Sequence, residues 1–335
     1  MSCSAERAPP AAIVFGCAGE ALGRDERALF ADANPLGFIL FARNCREPGQ
    51  VRDLVAALRD SVGRQDAPVL IDQEGGRVQR LAPPHWRRRP PWRSFGDMAA
   101  KEGLDRAVEA AGAAAREIAG ELAELGIDVN CLPLLDVPAP GGHGVIGDRA
   151  FSDDPGTVAA LGRAVCEGLL AGGVVPVVKH IPGHGRAAVD SHRALPVVDV
   201  PVHALAADFA PFRALRDMPW AMTAHVVYTA FDATAPATLS RAAVARAIRG
   251  LIGFDGLLIS DDLCMDALSG GPASRARAAL DAGCDAVLHC NGELAGMRAA
   301  IEGVDAMTGR AMARFRRGRA MARDKMPQAA AGAGA

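Results

Sequence analysis

Eight short apolar, mostly β-branched runs recur along the chain and end on polar residues: 11–17, 37–43, 68–72, 127–136, 174–180, 220–225, 256–261 and 285–290. The run Val174-Val175-Pro176-Val177-Val178 contains no polar position at all, the pattern of a strand buried on both faces. Between the runs, stretches rich in Ala, Leu, Glu and Arg predict helices over 50–62, 104–125, 155–171, 201–216, 241–252 and 273–282. Strands alternating with helices in this way predict right-handed βαβ units and a parallel sheet. Eight strands close most economically as a single (β/α)8 barrel. We expect it to occupy residues 1–325, with the Ala/Gly-rich segment 326–335 as a disordered tail.

Polar residues terminate these strands repeatedly: Arg43-Asn44, Asp72, Asp136, Lys179-His180, His225 and Asp261. In a barrel all of them share the C-terminal face, where active sites lie.

Half the residues are hydrophobic but only 4% are aromatic, so the core is built from Ala, Val, Leu and Ile, which favours α/β layers over a sandwich. The balance of 37 basic against 39 acidic residues gives no general field for nucleic acid or an anionic membrane. One basic cluster, His85-Trp86-Arg87-Arg88-Arg89, precedes Pro90-Pro91-Trp92 and reads as a solvated loop with stacked tryptophans, the alternative being a substrate entrance. The eight cysteines lack C-x-x-C spacing and read as free thiols. Residues 1–10 lack an apolar signal core, and no run reaches 18 apolar residues, so the expected location is the cytoplasm.

Four segments carry candidate chemistry. The first, Lys179-His180-Ile181-Pro182-Gly183-His184-Gly185, is followed by Asp190-Ser191-His192. In it Asp190 can fix one tautomer of His192 and raise its basicity. His180, His184 and His192 also form a conceivable zinc set, although the spacing fits neither H-E-x-x-H nor a Cys/His finger. The second, Leu257-Leu258-Ile259-Ser260-Asp261-Asp262-Leu263, delivers a carboxylate at a strand tip, as a nucleophile or general base requires; Asp262 reads instead as a helix cap. In the third, Asp72-Gln73-Glu74-Gly75-Gly76-Arg77-Val78-Gln79-Arg80, Asp72 can bind paired hydroxyls while an arginine reaches a further oxygen. Ion pairing of Glu74 with Arg77 and Arg80 is the structural alternative there. The fourth, Gly144-Val145-Ile146-Gly147-Asp148-Arg149, is a glycine-bearing loop whose arginine either pins the loop or enters the pocket.

Together K-H-I-P-G-H-G with D-S-H, D-Q-E-G-G-R-V-Q-R and S-D-D-L resemble the family 3 glycoside hydrolases, in particular the cytoplasmic β-N-acetylglucosaminidases of Gram-negative peptidoglycan recycling. The resemblance runs over residues 37–291. It implies a retaining exo-enzyme without cofactor or metal. Its substrate would be a small muropeptide or GlcNAc-1,6-anhydro-MurNAc, with neither nucleic acid nor membrane as partner. By the same resemblance Asp261 is the nucleophile and His192 the acid/base, assisted by Asp190. Asp72, Arg80, Arg149, Lys179 and His180 bind the N-acetylglucosamine unit. The chain departs from the pattern at Ile181, Arg186 and Cys264, and too little follows Cys290 for a second domain. Substrate-assisted hydrolysis, phosphorolysis, a zinc-dependent hydrolase and a non-catalytic sugar-binding barrel are the competing readings.

Overall fold

The computed structural model describes residues 8–139, 144, 146–187, 189 and 194–326. Eight parallel strands close into a barrel: β1 (Ala11–Gly16), β2 (Pro35–Leu40), β3 (Val69–Ile71), β4 (Val129–Asn130), β5 (Val175–Ile181), β6 (Trp220–Thr223), β7 (Leu257–Asp262) and β8 (Ala286–His289). Each pairs with its neighbours in chain order, and β8 returns to β1 through Ile13↔Val287 and Val14↔Leu288. All eight apolar runs of the sequence therefore supply barrel strands.

The two-residue alternation of strand side chains divides these runs between two cores. Val14, Ile39, Leu70, Val129, Val177, Met222, Ile259 and Leu288 fill the barrel interior. Their neighbours Ile13, Phe38, Val69, Val178, Ala221, Leu258 and Val287 pack outward against the helices. Both faces are buried, which is why the runs show no polar alternation.

Three expected elements differ in detail, one being the segment 241–252, where Ala243–Ile252 wind as a π-helix. Of the segment 127–136 only Val129–Asn130 pair in the ladder, and Leu134 then makes a single bridge to Lys179; this irregular continuation brings Asp136 up beside β5. The segment 201–216 divides into a 3-10 turn, Val202–Leu205, and a helix, Ala206–Ala214.

Four further helices lie outside the stretches named from the sequence: Arg24–Ala33, Arg93–Glu102, Leu294–Ile301 and Gly309–Lys325. The last is arginine-rich and closes the N-terminal end of the barrel. Ala311, Phe315 and Ala322 join the interior core, and the Phe315 ring lies 5.9 Å from that of Trp220. Gly318 permits this approach, since a Cβ there would sit 2.6 Å from Trp220 Nε1. Arg314, 5% exposed, pairs with Asp285 at 2.9 Å and with Asp255, while Arg319 pairs with Asp128 at 2.7 Å. These acids stand at the N-terminal ends of β7, β8 and β4. Phe315→Ala is expected to lower unfolding free energy by roughly 3–5 kcal/mol through lost burial and a cavity, measured by urea unfolding. KM should not change, because the active face lies at the other end.

The basic cluster is a loop solvated only in part: His85, Arg87 and Arg88 are exposed, but the tryptophans and Arg89 are buried. Trp92 is buried against Phe95 and Phe151 at 4.9 and 5.4 Å, Trp86 is buried, and Arg89 pairs with Glu117 and Glu121 at 3.2 and 2.8 Å. It ties the β3 loop to the helix Leu104–Glu124.

Candidate active site

At the C-terminal mouth of the barrel a cavity of about 360 Å³ is lined by Asp72, Arg80, Arg149, Lys179, His180 and Asp261, with Phe41, Met222, Met265 and Leu288 supplying apolar wall. That volume lies at the small end of ligand pockets, ~300–1,000 Å³. Six of the eight site residues expected from sequence thus meet in one place. Asp190 and His192 lie outside the described residues.

A buried ion network forms one wall. Lys179 Nζ lies 2.8 Å from both Asp72 Oδ1 and Glu74 Oε1. Arg149 holds Glu74 bidentately, Nε to Oε2 at 2.9 Å and Nη2 to Oε1 at 2.8 Å, and Arg80 reaches Asp72 Oδ2 at 3.2 Å. Three cations thus surround two carboxylates. Burial would raise both acids, but Lys179 and Arg80 hold Asp72 below its ordinary range, and Arg149 and Lys179 do the same for Glu74. Burial opposes the charge of Lys179 too, and Asp72 and Glu74 overcome it, raising its pKa. Asp72 therefore faces the cavity as a fixed anion able to accept hydrogen bonds from sugar hydroxyls. Arg149 does both things open to it: it lines the cavity and pins its loop to Glu74.

The alternative pairing of Glu74 with Arg77 and Arg80 does not occur; Arg77 pairs with Asp148 at 3.4 Å. Asp72 and Glu74 are two residues apart in an extended segment, so their side chains share one side and both reach Lys179. That signal was present in the D-Q-E spacing.

Asp136 was visible only as a polar strand end, and the structure gives it a role. Its Oδ2 lies 2.7 Å from His180 Nδ1, while Oδ1 accepts the amides of His180 at 3.2 Å and His184 at 2.6 Å. Burial would raise this acid, but the two histidines hold it down at about 2. With Nδ1 committed, any ligand contact of the His180 ring is made through Nε2. Burial and the neighbouring His180 push His184 down to about 4 from 6.5. Between those pH values the unfolded chain takes up a proton that the folded chain refuses. Stability should therefore fall by on the order of 3 kcal/mol as pH drops from 6.5 to about 4. Urea midpoints across this range should show the slope, and His184→Gln should flatten it.

Asp261 projects from the last turn of β7. Burial would raise its carboxyl, but His180, the Asp262 amide and Lys179 hold it below the ordinary range, so it is an anion at neutral pH. Its Oδ1 accepts the Asp262 amide at 2.8 Å. Asp262 caps no helix: its Oδ1 accepts the amides of Cys264 at 2.9 Å and Cys290 at 3.1 Å, and the next helix starts at Pro272. Arg43 and Asn44 also serve structure, bonding the carbonyls of Cys17, Cys290 and Gly19. Among the described residues no group of three His, Cys, Asp or Glu is arranged to hold a metal ion; the third histidine of the zinc reading, His192, is not among them.

An anionic carboxylate at a strand tip, facing a pocket of charged hydrogen-bonding groups, is equipped to attack the acetal carbon of a bound glycoside as its leaving oxygen departs. The model of the glycosyl hydrolase family 3 N-terminal domain matches residues 15–318. A β-hexosaminidase of Thiobacillus denitrificans is 42% identical over 286 residues, covering 83% of this chain and 78% of the relative. One from Neisseria meningitidis serogroup C is 38% identical over 288 residues, covering 84% and 79%. Among solved structures, NagZ from Neisseria gonorrhoeae in complex with N-trifluoroacetyl-D-glucosamine superposes with a TM-score of 0.85 at 34% identity, covering 97% of this chain and 95% of that one. The β-N-acetylhexosaminidase of Beutenbergia cavernae gives 0.76 at 28% identity, covering 94% of each. With the barrel, the charged pocket and the match over nearly its whole length in agreement, the chain belongs to glycosyl hydrolase family 3.

Proposed function

We propose that this family 3 β-N-acetylhexosaminidase is a retaining exo-β-N-acetylglucosaminidase. It would remove terminal non-reducing N-acetylglucosamine from peptidoglycan fragments, GlcNAc-1,6-anhydro-MurNAc with or without peptide. The catalytic unit would be residues 1–325 and the location cytoplasmic; no helix among the described residues is long and apolar enough to cross a membrane.

The observation that carries this reading is the placement of anionic Asp261 in one small cavity with Asp72, Arg80, Arg149, Lys179 and His180. In the proposed reaction these five residues bind the N-acetylglucosamine ring. The Asp261 carboxylate attacks the anomeric carbon while the bond to the leaving oxygen breaks, and His192 gives that oxygen its proton. Water then enters, His192 takes its proton, the new C–O bond forms, and the Asp261 carboxylate departs. Two displacements retain the configuration. An imidazole with an ordinary pKa near 6.5 keeps its acid form available close to neutral pH, and Asp190 would stabilise the imidazolium.

The reading is tested with 4-nitrophenyl N-acetyl-β-D-glucosaminide and GlcNAc-1,6-anhydro-MurNAc, following the first-formed anomer by NMR. Activity that survives EDTA and yields the β-anomer supports it. A first-formed α-anomer, loss in EDTA, or failure to cleave the disaccharide would overturn the corresponding part.

A further inference from the structure

Beneath Asp261 lies a group of polar side chains that the chemistry above does not use. Thr223 ends β6, His225 stands two residues beyond it, and Thr238 lies in the turn Ala237–Leu239; all three are fully buried. Such groups cost about 1–3 kcal/mol each if left unbonded, so their partners need accounting for. The Asp261 amide donates to Thr223 Oγ1 at 3.4 Å, and Thr223 Oγ1 lies 2.8 Å from Thr238 Oγ1. Thr238 Oγ1 is 2.7 Å from His225 Nδ1, and His225 Nε2 is 2.9 Å from the Asp262 carbonyl oxygen.

The proton positions follow from this chain. A carbonyl only accepts, so Nε2 carries a proton and donates to Asp262. Burial pushes the His225 pKa down, so the ring is neutral and Nδ1 accepts the Thr238 hydroxyl proton, in preference to the longer approach of that hydroxyl to the Ala224 carbonyl at 3.1 Å. Thr238 oxygen accepts from Thr223, whose oxygen accepts the Asp261 amide. The chain leaves the backbone at the Asp261 N–H and returns to it at the Asp262 carbonyl.

The sheet holds this stretch on the β8 side only, through Asp262↔Leu288. Pairing of β7 with β6 stops at Ile259, and its register with β8 shifts between Ile259 and Asp262. On the β6 side Asp261 lies beyond the ladder, and side chains supply restraint there. Between the two peptides so held lies the one whose Asp262 N–H bonds Asp261 Oδ1.

We propose that His225, Thr238 and Thr223 form a positioning relay that clamps the backbone on both sides of Asp261 and thereby sets the approach of its carboxylate to the anomeric carbon. The proposal rests on the reading of Asp261 as nucleophile. A misplacement of 1 Å can cost about 10²-fold in rate, whereas the residues proposed to bind sugar take no part in the relay.

The test compares kcat and KM for the 4-nitrophenyl substrate in the full-length chain carrying His225→Phe, His225→Gln, Thr238→Val or Thr238→Ser, with Asp261→Ala beside them. His225→Phe should lower kcat about 10²-fold and Thr238→Val about 10-fold, with KM within about twofold of wild type. His225→Gln, which can still donate to the Asp262 carbonyl, and Thr238→Ser, which keeps the hydroxyl, should recover most of kcat. Wild-type kcat in both His225→Phe and Thr238→Val, a loss carried by KM, or Ser no better than Val at 238 overturns the relay. If His225→Phe does not fold, the Thr238 pair decides alone. Activity retained by Asp261→Ala would instead remove the nucleophile reading, so the two failures are distinguishable.

Discussion

Asp261→Ala is expected to lower kcat on 4-nitrophenyl N-acetyl-β-D-glucosaminide by roughly 10⁴-fold or more, equivalent to a rise of about 5 kcal/mol in the barrier. The size follows from the role proposed for the residue: the carboxylate forms a bond to carbon, and no other described acid in the cavity can replace it. Asp72 is engaged by Lys179 and Arg80, and Asp262 Oδ1 by two backbone amides. The effect should fall on kcat, because the charged wall that would bind the sugar is left intact. A small external nucleophile such as azide, occupying the vacated space, should restore turnover and give the α-glycosyl azide. Retention of more than about a tenth of wild-type kcat would be incompatible with covalent catalysis at this position.

The second large effect is on stability. Lys179→Met should lower unfolding free energy by roughly 3–5 kcal/mol, the range for removing one member of a buried ion pair. The methionine fills similar space, so the loss is electrostatic. Lys179 is 2% exposed and is the only group that contacts both Asp72 and Glu74 among the described residues. Without it Arg80 and Arg149 are left to balance two buried carboxylates singly, and the hydrogen bonds of Nζ are lost. The pH dependence has a definite sign. In the wild type both acids are depressed below their ordinary values, so their stabilising contribution is present above about pH 4 and is lost as pH falls through their folded pKa values. In the variant the acids protonate more readily, and the stability gap should narrow as pH falls below about 4. Adding Glu74→Gln to Lys179→Met should recover part of the loss; strict additivity of the two changes would show that they are uncoupled.

Several readings of the site depended on distance along the chain, and some misled. Arg77 and Arg80 are near Glu74 in sequence, yet its partners Lys179 and Arg149 come from β5 and a loop after β4. The Arg-rich 309–325 segment shows no long apolar run because its buried stripe is narrow: Ala311, Arg314, Phe315, Gly318 and Ala322. Its arginines find acids at the strand starts, which no local pattern reveals. Asp136 shared its polar strand-end signature with Arg43 and Asn44. One became the partner of His180, and the others tie loops together, because the irregular course after Asn130 turns Asp136 toward β5.

The linear pattern determined the eight strands, the closed parallel barrel and the grouping of Asp72, Lys179, His180 and Asp261 on one face. It could do so because strand burial on both faces writes itself as uninterrupted apolar runs, and because parallel strands deliver all their C-terminal residues to the same end. Only the tertiary structure decided which charges neutralise one another, which histidine nitrogen is committed, and which side chains bond the backbone around Asp261. Those outcomes depend on ångström-scale distances between residues far apart in the chain. They also depend on burial, which makes an unpaired charge or hydroxyl costly enough to select its partner.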